Sequence, residues 1–593
     1  MRRDAGKLVA LAILAVAALG LVAHALLYPF ISDDAYISFR YAHNLAYHNE
    51  LTFNVGERVE GYTNFLWTVI LGLLLKLRLR PDVMARMLGA GFGVAVLVLT
   101  YVLTRLYRGG RADPWDSLGA VALASTAGFA LWCSGGLETQ MFTALMLGGM
   151  TLYFAERAGC VRWRLSGLVL ALSAMTRPEG LMVFGLTGLH LVVSNLVGQR
   201  RLRPRLAELW WLLGFLVPFG LFFLWRHSYY GYPFPNTYYV KAGGAASASA
   251  LKWGVPYLWD FVRDNKLYLL APLLLLLLVL RPRTAWSRDG APTATGARSA
   301  GSLSWSAGRA RGTQTARPAF LWSYLGLVGV VYAAYVVLVG GDFMALGRFF
   351  VPVAPILALL LQESLREAVQ RWPFGPDPPT PPASSWRATG ACQRNAPRQP
   401  GGGHRRAGWR PLRFGAVVAL LTGLLVANSV GRYGDNQKLA YYRWGLDTIA
   451  YLRKFADDRI LIGRWMRRNL PRDTFLAVGG AGAIVYASRL RSLDTFGLND
   501  LWIAHNMPRT GDRPGHTKSA PEHYILQQKP DLMCHQAKHQ DWPYRPPAHE
   551  AQYWRSRGYG WVCIAPEGLR PSHYCCLKRL SRDLGPWPAE TGP

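Results

Sequence analysis

Two adjacent carboxylates, Asp33 and Asp34, stand directly after the first long apolar segment of the chain. One of them could take a proton from an attacking hydroxyl group as a general base, or the pair could hold a divalent cation through oxygen ligands. A third interpretation is that they cap the helix that follows. A cap needs only one acid, and the same loop also carries Arg40, Arg58 and Glu60, so the pattern favours a chemical role.

Further ionisable side chains stand at the ends of later apolar segments, a placement that is costly and usually functional. They are Glu138, Arg177, Glu179, Asp342 and Arg348. The segment 226–241 adds aromatic rings, Tyr238 among them, and ends at Lys241. Guanidinium groups suit phosphate and aromatic faces suit sugar rings, although each residue alone could belong to an interfacial turn or an aromatic belt. Together they predict one polar site that includes Asp33 and Asp34.

The elements that must position these residues are membrane-spanning helices. With 593 residues, 51% of them hydrophobic and only 17% charged, the chain does not fit a soluble or a disordered protein. Windows of roughly 17 to 25 apolar residues can cross a bilayer core, and about eleven occur here. They lie at about 8–30, 84–105, 117–135, 137–155, 165–177, 180–197, 208–225, 266–280, 319–339, 349–363 and 414–430. The first is read as an uncleaved span.

The formal net charge of +31 follows from topology, so no nucleic-acid partner is expected. Basic residues beside spans stay in the cytoplasm, and every second loop is basic if the N-terminus is cytoplasmic. The segments 281–318 and 364–413, rich in Arg, Pro, Gly and Ser, are then flexible cytoplasmic linkers. In the first outer loop, 31–83, the segment 62–77 is apolar enough to be a span, but a span there would invert every later loop. We therefore read it as a juxtamembrane helix on the outer surface.

Residues 431–593 predict a separate soluble domain on the outer face, after a transmembrane domain formed by residues 1–430. A strand at 474–478, a helix at 483–488 and a second strand at 492–494 indicate an α/β domain. Its glycine run at 479–482 lacks the full spacing of a dinucleotide-binding loop and is read as a tight strand-to-helix turn.

The cysteines of this domain predict one or two disulfides if it lies in an oxidising compartment, with pairing that the sequence does not reveal. They are Cys534, Cys563, Cys575 and Cys576. Cys534 with His535 and His539 suggests zinc, but no second ligand pair accompanies them.

A family resemblance is carried mainly by the first outer loop. The runs 33–41 and 54–67 resemble the start of bacterial membrane glycosyltransferases of the GT-C fold, and more narrowly the group that contains the mycobacterial terminal arabinofuranosyltransferases. Shorter motifs continue the similarity at 176–180, 233–237, 341–343, 348–349, 494–500, 515–516 and 529–531.

The resemblance implies a polytopic inner-membrane enzyme of bacteria with a periplasmic C-terminal domain. It would move a sugar, with arabinofuranose as the first guess, from a polyprenyl-phosphate donor to a cell-envelope glycan, lipid or protein. In that family an acid of the first outer loop is catalytic, which here is Asp33 or Asp34, as base or as metal ligands. We assign Arg177, Lys241 and Arg348 to the donor phosphate. Residues of second rank are Arg40, Arg58, Glu60, Glu138, Glu179, Tyr238 and Asp342.

Two other functions fit a polytopic chain with charged residues near its spans. One is a transporter or flippase for lipid-linked sugars, and the other is a non-catalytic assembly subunit that keeps the fold. The lack of recognisable repeats, and motif residues at helix ends instead of the bilayer midplane, favour the enzyme. The sugar, the acceptor, the stereochemistry and any dependence on a divalent cation stay open.

Overall fold

The computed structural model describes residues 5–109, 112–161, 163–199, 205–241, 248–269, 318–371, 409–438, 446–511 and 513–585. The membrane region of these residues is helical. Its helices are α1 (Ala5–Leu26), α2 (Asp33–His48), α3 (Phe65–Lys76), α4 (Pro81–Arg108), α5 (Leu118–Ala124), α6 (Ala127–Leu131), α7 (Thr139–Arg157), α8 (Ser166–Thr176), α9 (Glu179–Gln199), α10 (Leu206–Tyr230), α11 (Asn236–Lys241), α12 (Ala248–Asp264), α13 (Pro318–Leu338), α14 (Ala354–Arg371) and α15 (Trp409–Asp435).

Seven of the described helices are long and apolar enough to cross a membrane: α1, α4, α9, α10, α13, α14 with the 3-10 turn Arg348–Val353 before it, and α15. α1 shows how such a helix packs. Its buried residues, among them Leu14, Ala17 and Leu21, recur at helical spacing and form one stripe, while Leu11 and Leu19 remain exposed. An apolar surface on both sides, with small residues on the packed side, is what a helix between protein and lipid requires.

The structure differs from the predicted spans in several places. The window 117–135 is not one span, because the chain forms the two short, buried helices α5 and α6 with a break at Ser125. Broken helices at membrane depth are tolerated where protein surrounds them. The segment predicted to be a juxtamembrane helix forms α3, whose 12 residues extend about 18 Å at 1.5 Å per residue, less than a bilayer core. Of the window 266–280, all but the first four residues lie outside the described residues.

The predicted linker 364–413 is wrong at both ends, because α14 continues to Arg371 and α15 begins at Trp409. Arg366 explains the first extension. Its side chain is buried and its Nη1 atom lies 3.1 Å from Oδ1 of Asp116, so a charged residue that suggested a solvated linker is instead neutralised inside the protein. The predicted linker 281–318 lies outside the described residues except for its last residue.

The C-terminal domain, residues 446–585 in the structure, is an α/β unit as predicted. Its elements are α16 (Ile449–Asn469), β1 (Phe475–Val478), α17 (Ala483–Ser488), β2 (Arg491–Asp494), α18 (Leu501–Asn506), α19 (Glu522–Gln528), β3 (Leu532–Gln540), α20 (Ala548–Ser556), β4 (Tyr559–Ile564) and β5 (His573–Arg579). The strand order is β2-β1-β3-β5-β4. β1 is parallel to both of its neighbours, and β5 is antiparallel to β3 and β4.

The C-terminal domain is packed and hydrogen-bonded onto the first loop of the membrane region. Ile37 and Phe53 of the loop belong to the same buried apolar cluster as Leu476 and Ile484 of the domain. The side chain of Asn54 also bonds to the backbone of Ser492, as donor at 2.9 Å and as acceptor at 3.0 Å. The end of α2 that carries Asp33 and Asp34 is therefore held between the two parts.

Candidate active site

A cavity of about 330 Å³ lies where the start of α2, the turn 341–347 and the C-terminal domain meet. Val478 and Asp494, which end β1 and β2, form part of its wall, and α16 forms another part. Ligands of open α/β sheets bind beyond the carboxyl ends of the parallel strands. The cavity has this position, but its remaining wall comes from the membrane region, so neither part forms it alone.

Asp33 lines this cavity and is tied to the C-terminal domain. Its Oδ1 atom accepts a hydrogen bond from the backbone N–H of Ala483 at 2.8 Å. Gly482 allows this contact, because a Cβ atom there would stand 2.1 Å from the Asp33 carbonyl oxygen and 2.6 Å from Oδ2. Burial raises the pKa of Asp33 to about 6, although the bond from Ala483 and the charge of Arg459 oppose the rise. The glycine run is thus a turn that fits around Asp33.

Asp34 lines the same cavity and is partly exposed to it. Within the described part of the chain, its carboxylate has no hydrogen-bond or ion-pair partner. Its charge acts on Asp342 and on His516 across the site. Of the two adjacent acids, Asp34 is therefore the one with neither oxygen hydrogen-bonded among the described residues.

Lys241, the last residue of α11, brings a positive charge to the cavity. Its charge acts on Asp342 and His516, as that of Asp34 does. Among the residues that the structure describes, no acid lies within ion-pair distance of its ammonium group. An exposed ammonium beside a cavity can bind an anionic group such as a phosphate.

The other basic residues assigned to phosphate are neutralised beside the cavity. The Nε atom of Arg348 lies 2.6 Å from Oδ2 of Asp342. Both terminal nitrogens of the Arg177 guanidinium form ion pairs: Nη1 lies 2.8 Å from a carboxylate oxygen of Glu138, and Nη2 lies 2.7 Å from one of Glu179. All five side chains are nearly inaccessible, and removing one member of such a group leaves an uncompensated buried charge. None of the five lines the cavity, so phosphate binding by Arg177 would require it to exchange partners.

Two residues of second rank connect the first loop to its surroundings. Arg40 is buried and donates to the carbonyl oxygens of Phe53 at 2.9 Å and Leu490 at 3.2 Å. Glu60 is also buried, 3.4 Å from a guanidinium nitrogen of Arg226. Burial raises the pKa of Glu60 to about 8, against the opposing charge of Arg226. Neither residue lines the cavity.

Arg58 and Tyr238 lie on the surface. The guanidinium of Arg58 sits over the Tyr229 ring, 4.7 Å from its centroid. The Tyr238 ring is exposed and stacks on Phe234 with centroids 4.5 Å apart. Neither residue lines the cavity, and both have the form of an interfacial aromatic region.

Sequence reasoning missed an ion pair and a histidine that line the cavity. Asp447 lies 2.7 Å from Arg513, and burial raises the pKa of Asp447 to about 6 against the charge of Arg513. The ring of His516 lies edge-on to Phe343 and Phe496, at centroid distances of 5.0 and 5.1 Å. His516 carried a signal in the sequence, as part of a weak motif. Asp447 carried none, because its place is set by a backbone bridge to the distant turn 341–347.

Among the described residues, the acids of the cavity wall are not grouped as the ligands of a metal ion. Asp33 already accepts a backbone N–H, and Lys241 is a cation in the same space. Within the described ranges, no group of three or more His, Cys, Asp or Glu side chains is placed to hold a metal ion, including the Cys534, His535 and His539 region.

Two curated proteins are similar to this chain over much of its length. The chain is 29% identical over 363 residues to a terminal β-(1→2)-arabinofuranosyltransferase of Corynebacterium glutamicum. The aligned region covers 57% of this chain and 48% of that protein. It is 31% identical over 354 residues to the protein of the same name from Mycobacterium tuberculosis. That aligned region covers 56% of this chain and 51% of the relative. These similarities confirm the resemblance inferred from the motifs. The chain spans about half the length of the curated relatives it matches.

Solved structures and a family model add to this. The fold is similar to that of ArnT from Cupriavidus metallidurans bound to undecaprenyl phosphate, with a TM-score of 0.53, 12% identity and coverage of 96% and 97% of the two chains. The apo state of ArnT gives a TM-score of 0.51. This likeness confirms the predicted GT-C type of membrane fold with a C-terminal domain. Residues 448–575 match a family model described as a domain of unknown function, DUF8728.

Proposed function

We propose that the protein is a membrane glycosyltransferase that moves a sugar from a polyprenyl-phosphate donor to a hydroxyl group of a cell-envelope acceptor. The observation that carries this proposal is the cavity that joins Asp34, a carboxylate with no partner among the described residues, to the ammonium of Lys241. The names of the two relatives support arabinofuranose as the sugar. The undecaprenyl phosphate bound to ArnT supports a polyprenyl-phosphate donor.

In this proposal Asp34 is the general base. The acceptor oxygen attacks the anomeric carbon, the bond from that carbon to the phosphate oxygen breaks, and the acceptor proton passes to the Asp34 carboxylate. Such proton transfer typically contributes about 10²- to 10⁴-fold to a rate. Asp33 positions Asp34, because its bond to Ala483 fixes the start of α2 against the C-terminal domain.

Lys241 neutralises the phosphate that leaves on the polyprenyl chain. Charge develops on the leaving oxygen in the transition state, and a cation already in place stabilises it there. Arg348 and Arg177 do not contact the phosphate in this proposal. They neutralise the carboxylates of Asp342, Glu138 and Glu179 beside the site, so that these acids do not repel the phosphate.

We place the cavity and the C-terminal domain on the outer, periplasmic face of the inner membrane. The domain carries a disulfide between Cys563 and Cys575, and disulfides persist in oxidising compartments. The basic loops of the chain support the same orientation, with a cytoplasmic N-terminus. Both substrates, a lipid-linked sugar and a growing envelope polymer, would meet on that face.

The decisive experiment uses the purified full-length chain in nanodiscs with a synthetic polyprenyl-phosphate arabinofuranose and an arabinan oligosaccharide. We expect one released polyprenyl phosphate for each sugar added, measured by mass spectrometry of both products. A transporter would move the lipid between the leaflets of a vesicle and release no phosphate. Folded protein that transfers no sugar from this donor or from other pentose and hexose donors would contradict the proposal. The same assay with EDTA tests for a divalent cation.

A further inference from the structure

Cys534 and Cys576 lie side by side on neighbouring strands of the C-terminal sheet. β3 and β5 are antiparallel, with Met533 opposite Leu577, and β3 bulges between Met533 and Lys538. The residues next to that pair are therefore Cys534 and Cys576. Burial raises the pKa of the Cys576 thiol well above its usual range, and the neighbouring Cys534 side chain adds to the rise.

The hydrogen-bond pattern between β3 and β5 predicts that the two cysteines form a non-hydrogen-bonded pair, the type with the shorter distance between Cα atoms. Arg579 donates its backbone N–H to the carbonyl of Asp531 at 2.9 Å, so hydrogen-bonded pairs on these strands fall on Asp531 with Arg579 and on Met533 with Leu577. The alternation of an antiparallel ladder then makes Leu532 with Lys578 a pair without hydrogen bonds, and the next position of that kind is Cys534 with Cys576, where the bulge of β3 begins. Such pairs have Cα atoms about 4.5 Å apart, at the short end of the range that disulfides span.

Cys575 and Cys576 point to opposite faces of the sheet, because side chains alternate along a strand. Cys575 is bonded to Cys563 of β4, with Cα atoms 3.9 Å apart, and both lie in one buried cluster. Cys576 lies in the cluster on the other face together with Cys534. The existing disulfide thus leaves Cys576 free to bond to β3.

The pair is buried but can be reached. Cys534 is 6% exposed and Cys576 is 2% exposed, and both are thiols in the structure. Cys534 is also part of the cavity wall, on the same strand as His535 and His539. A small disulfide that enters the cavity can therefore meet Cys534 first.

We propose that Cys534 and Cys576 form a second, reversible disulfide that ties β3 to β5 at the wall of the cavity. The Cys534 thiolate attacks a small-molecule disulfide that has entered the cavity, and one thiol leaves. The Cys576 thiol then gives up its proton as its sulfur attacks the mixed disulfide, and the second thiol is released. The cysteine pair loses two electrons and two protons, and the oxidant disulfide gains them. The inference does not depend on the proposed transferase activity.

Trypsin separates the two disulfides cleanly. It cleaves after Lys and Arg but not before Pro, so residues 558–578 form one peptide that holds Cys563, Cys575 and Cys576, and residues 519–538 form another that holds Cys534. The purified full-length protein is incubated with oxidised glutathione, then denatured, alkylated and digested without reductant. We expect the two peptides to be linked, and to separate after dithiothreitol. Electron-transfer fragmentation between Cys575 and Cys576 should assign the link to Cys576.

Variants test the assignment. Cys534→Ser and Cys576→Ser should each abolish the link, while Cys160→Ser, at an exposed cysteine of the membrane region, should leave it intact. The mass of peptide 558–578 reads the bond between Cys563 and Cys575 independently. Recovery of the 519–538 peptide unlinked and alkylated from the oxidised wild type, with that bond intact, would overturn the proposal. This reading needs no variant to fold.

Discussion

The Oδ1 atom of Asp33 accepts a hydrogen bond from the backbone N–H of Ala483 at 2.8 Å, across 450 positions of sequence. The neighbouring Asp34 faces the cavity and has no such partner in the described ranges. One acid therefore connects the membrane region to the C-terminal domain, and the other is available for chemistry. This division of roles can be tested with two variants of equal size.

Asp34→Asn should lower kcat for sugar transfer by about 10²- to 10⁴-fold, because an amide cannot take the acceptor proton. Asp33→Asn should lower it far less, since an amide oxygen still accepts the bond from Ala483. Asp33→Ala, which cannot, should reduce both activity and thermal stability. Equal losses in the two Asn variants, measured by release of polyprenyl phosphate, would contradict the assignment.

Lys241→Gln should raise KM for the donor and lower kcat, together by roughly 10- to 100-fold in kcat/KM, because the leaving phosphate loses its cation. Lys241→Arg should restore part of the activity. The exposed Lys252 of α12 offers a matched control, and Lys252→Gln should change neither constant. If Lys241→Gln kept the donor KM of the wild type, Lys241 would not be the phosphate contact.

Gly482→Ala should loosen the junction between the two parts of the protein. The new Cβ would stand 2.1 Å from the Asp33 carbonyl oxygen, so the backbone must move, at a cost of about 1–3 kcal/mol for such overpacking. At Gly479 the nearest atoms to an added Cβ are 3.5 Å away, and Gly479→Ala is the control. We expect a lower midpoint of thermal unfolding for the first variant alone. Equal midpoints would show that the close contact adds no stability.

Glu60 should make stability depend on pH. Its pKa is about 8 in the folded protein, against an ordinary value of 4.5, so the native state holds this proton more tightly than the unfolded state. The free energy of unfolding should then fall as pH rises from about 4.5 to about 8, by an amount on the order of a few kcal/mol. Glu60→Gln should flatten this dependence, and Glu567→Gln, at an exposed glutamate, should not. A thermal-unfolding series across pH 5 to about 8 reads the difference.

Cys160 reports the orientation of the chain. It is exposed between α7 and α8, in a loop that the charge pattern places in the cytoplasm. Cys392, in the predicted linker 364–413, is first replaced by Ser so that it cannot react. A membrane-impermeant maleimide should then label Cys160 only after cells are permeabilised. Ser556→Cys, at an exposed end of α20, should be labelled in intact cells. The reverse pattern would invert the topology and remove the periplasmic placement.

The sequence alone determined the class of the protein and singled out the first outer loop as the candidate site. Long apolar segments are read directly from the chain, because transfer from water to lipid acts on each segment separately. The order of strands and helices in 474–494 was also readable, since it depends on local alternation and on glycine turns. Asp33 and Asp34 stood out for the same reason, as adjacent charges beside an apolar segment.

Only the tertiary structure decided which partners each of these residues has. Whether Asp33 or Asp34 is available depends on a bond to Ala483, and whether Arg177 can bind phosphate depends on two carboxylates from other helix ends. Asp447 reaches the cavity through a backbone bridge to a distant turn. Hydrogen bonds and buried ion pairs act over a few ångströms between residues far apart in sequence, so no local pattern encodes their partners. Folding creates those distances, and with them the difference between a neutralised charge and an available one.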